Sequence, residues 1–181
     1  MSEPAQLLIA AKQFDESALS QIYDLYSHDL FRYAMRTLGH RQLAEECVGE
    51  TFSKFLHALQ RGKGPNSNLR AYLYRVAHNW MTDQFRSKRF DESELFEESW
   101  VVKDLGLSEK VDDEREEAQV RWAISKLTPD QRQVLILKFY EGWSNKDVAE
   151  ALEKPLGAVK SLQHRALASM QRLLVKTGEG A

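Results

Sequence analysis

Residues 91–117 carry 12 acidic and 3 basic side chains, a net charge of −9, and over residues 90–112 helical periodicity is weak. Ionised carboxylates resist transfer into an apolar interior, so this stretch separates two folding units. Residues 1–90 hold 12 Lys/Arg against 9 Asp/Glu, a net of +3, and residues 118–181 hold 10 against 6, a net of +4. The overall charge of −2 therefore averages over two mildly basic lobes and an acidic strap, a pattern best read segment by segment. A length of 181 residues suits one large domain or two small ones. The expected division is a helical domain at 14–90, an acidic flexible linker at 91–112 and a second helical domain at 113–176.

Apolar residues recur at three- and four-residue spacing in both lobes. No segment alternates with period two between turn residues, so the expected class is all-α. In the first lobe Asp15 can cap a helix that runs to about Leu38 and stops at Gly39. Its inner stripe is Ala18, Ile22, Leu25, Leu30, Ala34 and Leu38. A second helix, about 42–60, turns Ala44, Cys47, Val48, Phe52, Phe55 and Leu59 inward. Arg61-Gly62-Lys63-Gly64-Pro65-Asn66-Ser67-Asn68 is a loop by every local signal. A third helix, about 69–88, buries Leu69, Leu73, Val76, Ala77 and Trp80.

In the second lobe a helix runs from about Asp113 to Leu127. Thr128-Pro129-Asp130-Gln131 has the form of a capping box, with proline at the first helical position. That helix reaches Tyr140, and Gly142 ends it. The segment from Ser144 to Leu162 then has the pattern of a helix-turn-helix. Val148, Ala149 and Leu152 mark the buried face of a short helix, with Ala149 small enough for a second helix to cross closely. Val159, Leu162, Ala166, Met170 and Leu173 bury the inner face of the last helix, about 156–175. Lys160, Ser161, Gln163, His164 and Arg165 are left facing outward. Hydrogen-bonding side chains on one exposed helix face are what major-groove readout requires.

Other classes of function are poorly served. No apolar run approaches the ~20 residues that span a bilayer, and residues 1–11 lack the basic start and long apolar core of a signal peptide. The single cysteine, Cys47, excludes an internal disulfide and lies on an apolar stripe, which predicts a buried thiol in a reducing cytoplasm. His28, His40, His57, His78 and His164 show no metal-ligand spacing, and there is no phosphate-cradling glycine loop. No cofactor, metal or catalytic site is expected.

Three blocks, taken in order, resemble the extracytoplasmic-function (group IV) sigma factors, the small promoter-specificity subunits of bacterial RNA polymerase. Leu43-Ala44-Glu45-Glu46-Cys47-Val48-Gly49-Glu50-Thr51-Phe52 is similar to the family's acidic helix before a Glu-Thr-Phe. Residues 73–86 match its Leu-Tyr-x-hydrophobic-Ala-x-Asn-x-x-x-Asp-x-x-Arg helix, and residues 127–166 its helix-turn-helix. The resemblance spans about residues 14–175. It implies a cytoplasmic protein that works on core RNA polymerase, through the beta and beta-prime subunits, and on promoter DNA, with an anti-sigma factor as a further partner.

The resemblance also implies roles for residues. The face of the third helix carrying Arg75, Asn79, Asp83 and Arg86, with the loop before it, is expected to read the minus-ten element and hold an extruded base. Lys63, Arg70 and Arg75 suit phosphates, and Asn66 and Asn79 suit base edges. Trp80 and Tyr74 offer rings for stacking, at ~1–3 kcal/mol per base, although Trp80 also lies on the inner stripe. Glu45, Glu46, Glu50 and Phe52 are expected to dock on the polymerase. Lys160 and Arg165 suit phosphates of the minus-thirty-five element, Gln163 and His164 suit its base edges, and Ser161 joins the contact set. Three positions depart from the family's habit. Gly49 stands where Gln is usual, at a cost of about 1 kcal/mol in helix propensity. Glu153 takes a turn position where a left-handed glycine is typical, and Leu162 replaces a frequent Arg.

The second lobe also resembles the DNA-binding domain of response-regulator activators. Those pair it with an α/β receiver, whereas the first lobe here reads as helical. The strap raises two further expectations between which the sequence does not choose: in the free protein, residues 91–117 fold back over the basic surfaces and mask them, or, as the resemblance implies, the same strip enters the template channel of the polymerase.

Overall fold

The computed structural model describes residues 2–87 and 111–178, so the greater part of the acidic strap lies outside the described residues. Every regular element among them is helical, as the periodicity requires. The N-terminal lobe comprises α1 (Glu3–Ala11), α2 (Glu16–Leu38), α3 (Arg41–Gln60) and α4 (Leu69–Arg86). The C-terminal lobe comprises α5 (Val111–Ser125), α6 (Pro129–Leu135), α7 (Asn145–Leu152) and α8 (Leu156–Gly178). Between α6 and α7 the helix widens into a π turn, Ile136–Tyr140.

The helix ends follow local chemistry. The Ala18 amide donates to Asp15 at 2.7 Å, and Gly39 ends α2 in the left-handed region at φ 65°. His40 accepts from the Leu43 amide to start α3, and Asn68 accepts from the Ala71 amide to start α4. Thr128 and Gln131 close the expected capping box on α6. Ser144 caps α7, and Glu153, at φ 51°, ends it in the left-handed conformation that usually favours glycine.

One helix is added to the sequence reading, and two of its assignments are corrected. Residues 3–11 form a helix whose Leu8 and Ala11 are buried against the first lobe; with two buried apolar positions, the segment was too short to declare a stripe. Leu25 is 49% exposed. The buried stripe of α2 instead steps by four through Ala18, Ile22, the half-buried Tyr26, Leu30, Ala34 and Leu38, because α1 packs on that side. In α7, Ala151 is fully buried beside Val148 and Leu152, while Ala149 is only partly covered.

One hydrophobic cluster runs without a break from α1–α4 into α6, the π turn, α7 and α8. A smaller cluster ties α5 to α6 and α8 through Ala123, Ile124, Leu127, Leu135, Ala166 and Met170. The two lobes are therefore docked on each other, with α7 lying across α4. Periodicity within each lobe gave no hint of this.

Candidate nucleic-acid interface

The seam between the lobes is organised by two residues of α6. Gln133 is wholly buried. Its Oε1 accepts from Tyr33 Oη at 2.9 Å and lies against Nδ1 of His78, and its Nε2 reaches Thr82 Oγ1 at 3.4 Å. Arg132, 3% exposed, donates to the carbonyls of Ile124, Ser125 and Leu127 at the end of α5 and to Thr37 O, near the end of α2, at 2.9 Å. These carbonyls lie at helix ends, where the hydrogen-bond ladder runs out (Ile124 O also accepts from the Leu127 amide at 3.1 Å), and a guanidinium complements them in hydrogen bonding and dipole. At the rim, Arg36 pairs with Glu141 at 2.7 Å, both largely covered.

Burial sets the protonation of these groups. It lowers the pKa of His78 below 6.5, against the opposing pull of the Gln133 hydrogen bond and of Asp130, with Lys154 lowering it further. It raises Glu141 in spite of Arg36. It pushes the Cys47 thiol up to about 12, the protonated, inert state expected of a structural cysteine.

This docking decides how the α4 face is presented. Arg75 Nη1 lies 3.1 Å from Glu153 Oε1, and its Nη2 donates to Glu150 O at 3.0 Å. The acid that meets the basic face therefore comes from the helix-turn-helix, at the unusual Glu153 turn. Arg70 stacks over Trp143, 4.2 Å from the ring centroid. Tyr74, expected to offer a stacking surface, is fully buried between Tyr33 and Trp143, at centroid distances of 5.1 and 4.6 Å. Trp80 is buried too, as its inner-stripe position allowed. Asn79, Asp83 and Arg86 remain exposed on α4, as do Lys63 and Asn66 in the loop before it.

The α8 face is arranged differently. Lys160, Ser161, His164 and Arg165 are exposed and Gln163 is half-buried, with Val159, Leu162, Ala166 and Met170 beneath them. Leu162 is part of that buried stripe, which accounts for its standing where an Arg is frequent.

On α3, Glu45, Glu46 and Glu50 are exposed. Arg41 pairs with Glu45 at 3.0 Å, and Gln42 donates to Glu46 at 3.3 Å. Phe52, expected on the docking surface, is 9% exposed and packs under Tyr23 at a centroid distance of 4.8 Å. The stripe that buries Phe55 and Leu59 takes Phe52 with it. Tyr23, half exposed, offers its ring in its place and borders a groove between α2 and α3 with Phe31, Arg41, Glu45 and Val48. The signal available in the sequence was that Tyr23 stands off the stripe of Ala18, Ile22 and Leu30.

Two family profiles match the chain, one described as Sigma-70 region 2 over residues 22–90 and one as Sigma-70, region 4 over residues 118–170. The chain is 30% identical over 167 residues to the ECF RNA polymerase sigma factor SigL of Mycobacterium tuberculosis, covering 90% of this chain and 93% of SigL. It is 29% identical over 181 residues to the ECF RNA polymerase sigma factor BldN of Streptomyces coelicolor, covering 93% of this chain but only 65% of BldN. Among solved structures, the sigma factor RpoE in complex with the anti-sigma factor NepR, from Bartonella quintana, superposes with a TM-score of 0.64 at 26% identity, over 86% of this chain and 95% of that one.

Proposed function

This chain belongs to the extracytoplasmic-function sigma factors of the sigma-70 family, and on that premise we propose that it is the promoter-specificity subunit of a bacterial RNA polymerase. In this reading it directs the core enzyme to a regulated set of promoters and assists opening of the duplex. It performs no catalysis, which belongs to the polymerase, and it acts in the cytoplasm. Among the described residues, no helix is long and apolar enough to cross a membrane.

The observation that carries the reading is the pairing, on one chain and in order, of sequence matching region 2 with sequence matching region 4. Roles follow from the two exposed faces. Lys63, Asn66, Arg70, Arg75, Asn79, Asp83 and Arg86 contact the minus-ten element; the burial of Trp80 takes it off this face. Lys160 and Arg165 hold phosphates of the minus-thirty-five duplex while Ser161, Gln163 and His164 meet base edges. Glu45, Glu46 and Glu50 dock, with Tyr23, on the beta-prime subunit, as acidic side chains suit basic partners; the beta subunit is the second partner within the core enzyme. The domain limits proposed for these tasks are 14–90 and 113–176. An anti-sigma factor as partner is supported by the similarity to RpoE, solved with one.

The rival, an autonomous activator, is not favoured, because the first lobe is helical throughout its described residues. Run-off transcription with core polymerase on a randomised promoter library tests the proposal. The expected result is enrichment of two spaced elements that depends on this protein. Specific duplex binding with no stimulation of the polymerase would overturn it.

A further inference from the structure

Helix α1 walls a cleft with Asn66 and Arg70, which belong to the minus-ten face already described. A separate concavity of about 360 Å³ lies at the C-terminal end of α3. Its lining is Lys54, His57, Ala58, Arg61 and Lys63. Every side chain but the alanine is basic, and the basic ones are all exposed. Lys54, His57 and Arg61 recur at four- and three-residue spacing, so they share one face of the helix. The helix stop brings Lys63 to them: Gly62 takes φ 65°, and the Lys63 amide donates to Ala58 O at 2.8 Å. Among the described residues, Lys54, Arg61 and Lys63 form no ion pair with a carboxylate. His57 Nδ1 donates to Ser53 O at 2.8 Å, which leaves Nε2 for a ligand. The helix dipole favours cations in the last turn. Lys54 stands before that turn and Lys63 beyond the stop, so the dipole does not account for the set.

We propose that this concavity binds linked phosphate groups. Three cations and an imidazole around one opening exceed what a single carboxylate neutralises. A guanidinium can take two oxygens of one phosphate, and an ammonium acts on the next as a point charge. Such a ligand has two sources, the phosphate chain of a free nucleotide and the backbone of a nucleic-acid strand. The second source rests on the sigma reading. Glu46, Glu50, Lys54, His57 and Arg61 lie on one stripe of α3. A core enzyme docked on the acidic half therefore borders a strand held on the basic half. The contact is with phosphate alone and reads no base.

The test compares the full-length chain with a Lys54→Gln, Arg61→Gln double variant. Both positions are exposed, so thermal unfolding and affinity for core polymerase are expected to be unchanged. In one arm, inorganic tripolyphosphate is titrated into the free chain at constant ionic strength. The wild type is expected to bind it about tenfold more tightly than sulfate, and the double variant to lose that preference. In the other arm, holoenzyme binds fork-junction DNA whose single strand extends past the minus-ten element. Removing two charges is expected to lower the salt slope by about 1.4 for any sequence of the extension, at ~0.7 per phosphate of a single strand. An effect in the first arm alone assigns the free nucleotide, and an effect in the second assigns the strand. A variant indistinguishable from wild type in both arms overturns the inference while the sigma reading stands. Tighter binding of oligoglutamate than of tripolyphosphate overturns it as well, since the site would then take an acidic peptide. Failure of the wild-type chain to assemble with core polymerase would remove the sigma reading and leave the first arm intact.

Discussion

The recognition face of α8 and the face of α4 belong to one chain but stand in opposite circumstances. On α8, among the described residues, the outward side chains make no hydrogen bond or ion pair to another element, and the stripe below them rests on its own lobe. On α4, Arg75 is held by Glu153 and the Glu150 carbonyl, Arg70 by Trp143, and Tyr74 is enclosed. One face is ready for DNA as it stands; the other must first be released. The seam is suited to release. Tyr74 Oη and Trp143 Nε1 are buried without hydrogen-bond partners among the described residues, and each such orphan costs about 1–3 kcal/mol. A partner that pairs these groups, or solvent that reaches them, recovers that energy when the lobes part. In the structure, self-masking of the basic surface is done by the helix-turn-helix turn; the strap expected to do so lies, over residues 91–110, outside the described residues.

Several substitutions should break or sharpen this contrast. The largest effect is expected from Arg132→Met, which removes the guanidinium from four carbonyls, only one of which keeps the Leu127 amide as a donor, and should lower stability by about 3–5 kcal/mol in urea unfolding. A loss below about 1 kcal/mol would mean that this guanidinium does not tie α5 to α2. Gln133→Leu should weaken docking by about 1–3 kcal/mol, seen as a longer distance between labels on α3 and α8. Binding of single-stranded minus-ten DNA should rise and duplex binding stay constant; a rise in both would erase the distinction between the faces. Gln163→Ala should relax base preference in the minus-thirty-five duplex by about 1–3 kcal/mol, with or without docking.

Protonation of His78 acts on the same seam. His78 is held neutral by burial, below its ordinary 6.5. The undocked state therefore binds the proton more readily, and the stability of docking falls as pH drops through about 6.5 towards the lowered value. The label distance should lengthen over that window, and His78→Phe should remove the His78 contribution, leaving that of Glu141, whose raised pKa acts with the opposite sign. The smallest effect belongs to Arg75 and Glu153, whose carboxylate is mostly exposed. A double-mutant cycle to Ala is expected to give about 0.2–1 kcal/mol of coupling, fading at high salt. Arg75→Ala should matter far more to minus-ten binding by holoenzyme than to docking.

Much of this was legible in the residues because it is local. The Asp15 cap, the Gly39 stop, the box at Thr128 and the Ser144 cap each depend on residues three or four apart. The outward set on α8 follows from a period that the buried stripe imposes. The α1 helix escaped because two buried positions make no period, and Leu25 was misplaced because α1 chose which side of α2 to cover. Phe52 and Tyr74 were assigned to partners by motif, and packing claimed both.

Composition and spacing alone determined that this chain is helical, that it has two basic lobes and that α8 presents polar side chains outward; these depend on interactions within a few residues. Only the tertiary structure decided that Gln133 meets Tyr33 across 100 residues of chain, that Glu153 answers Arg75, and that α1 walls a cleft with Asn66. Nothing in a local pattern encodes which buried face meets which. That choice is made by shape, and by the requirement that buried polar groups find partners wherever in the sequence those partners lie.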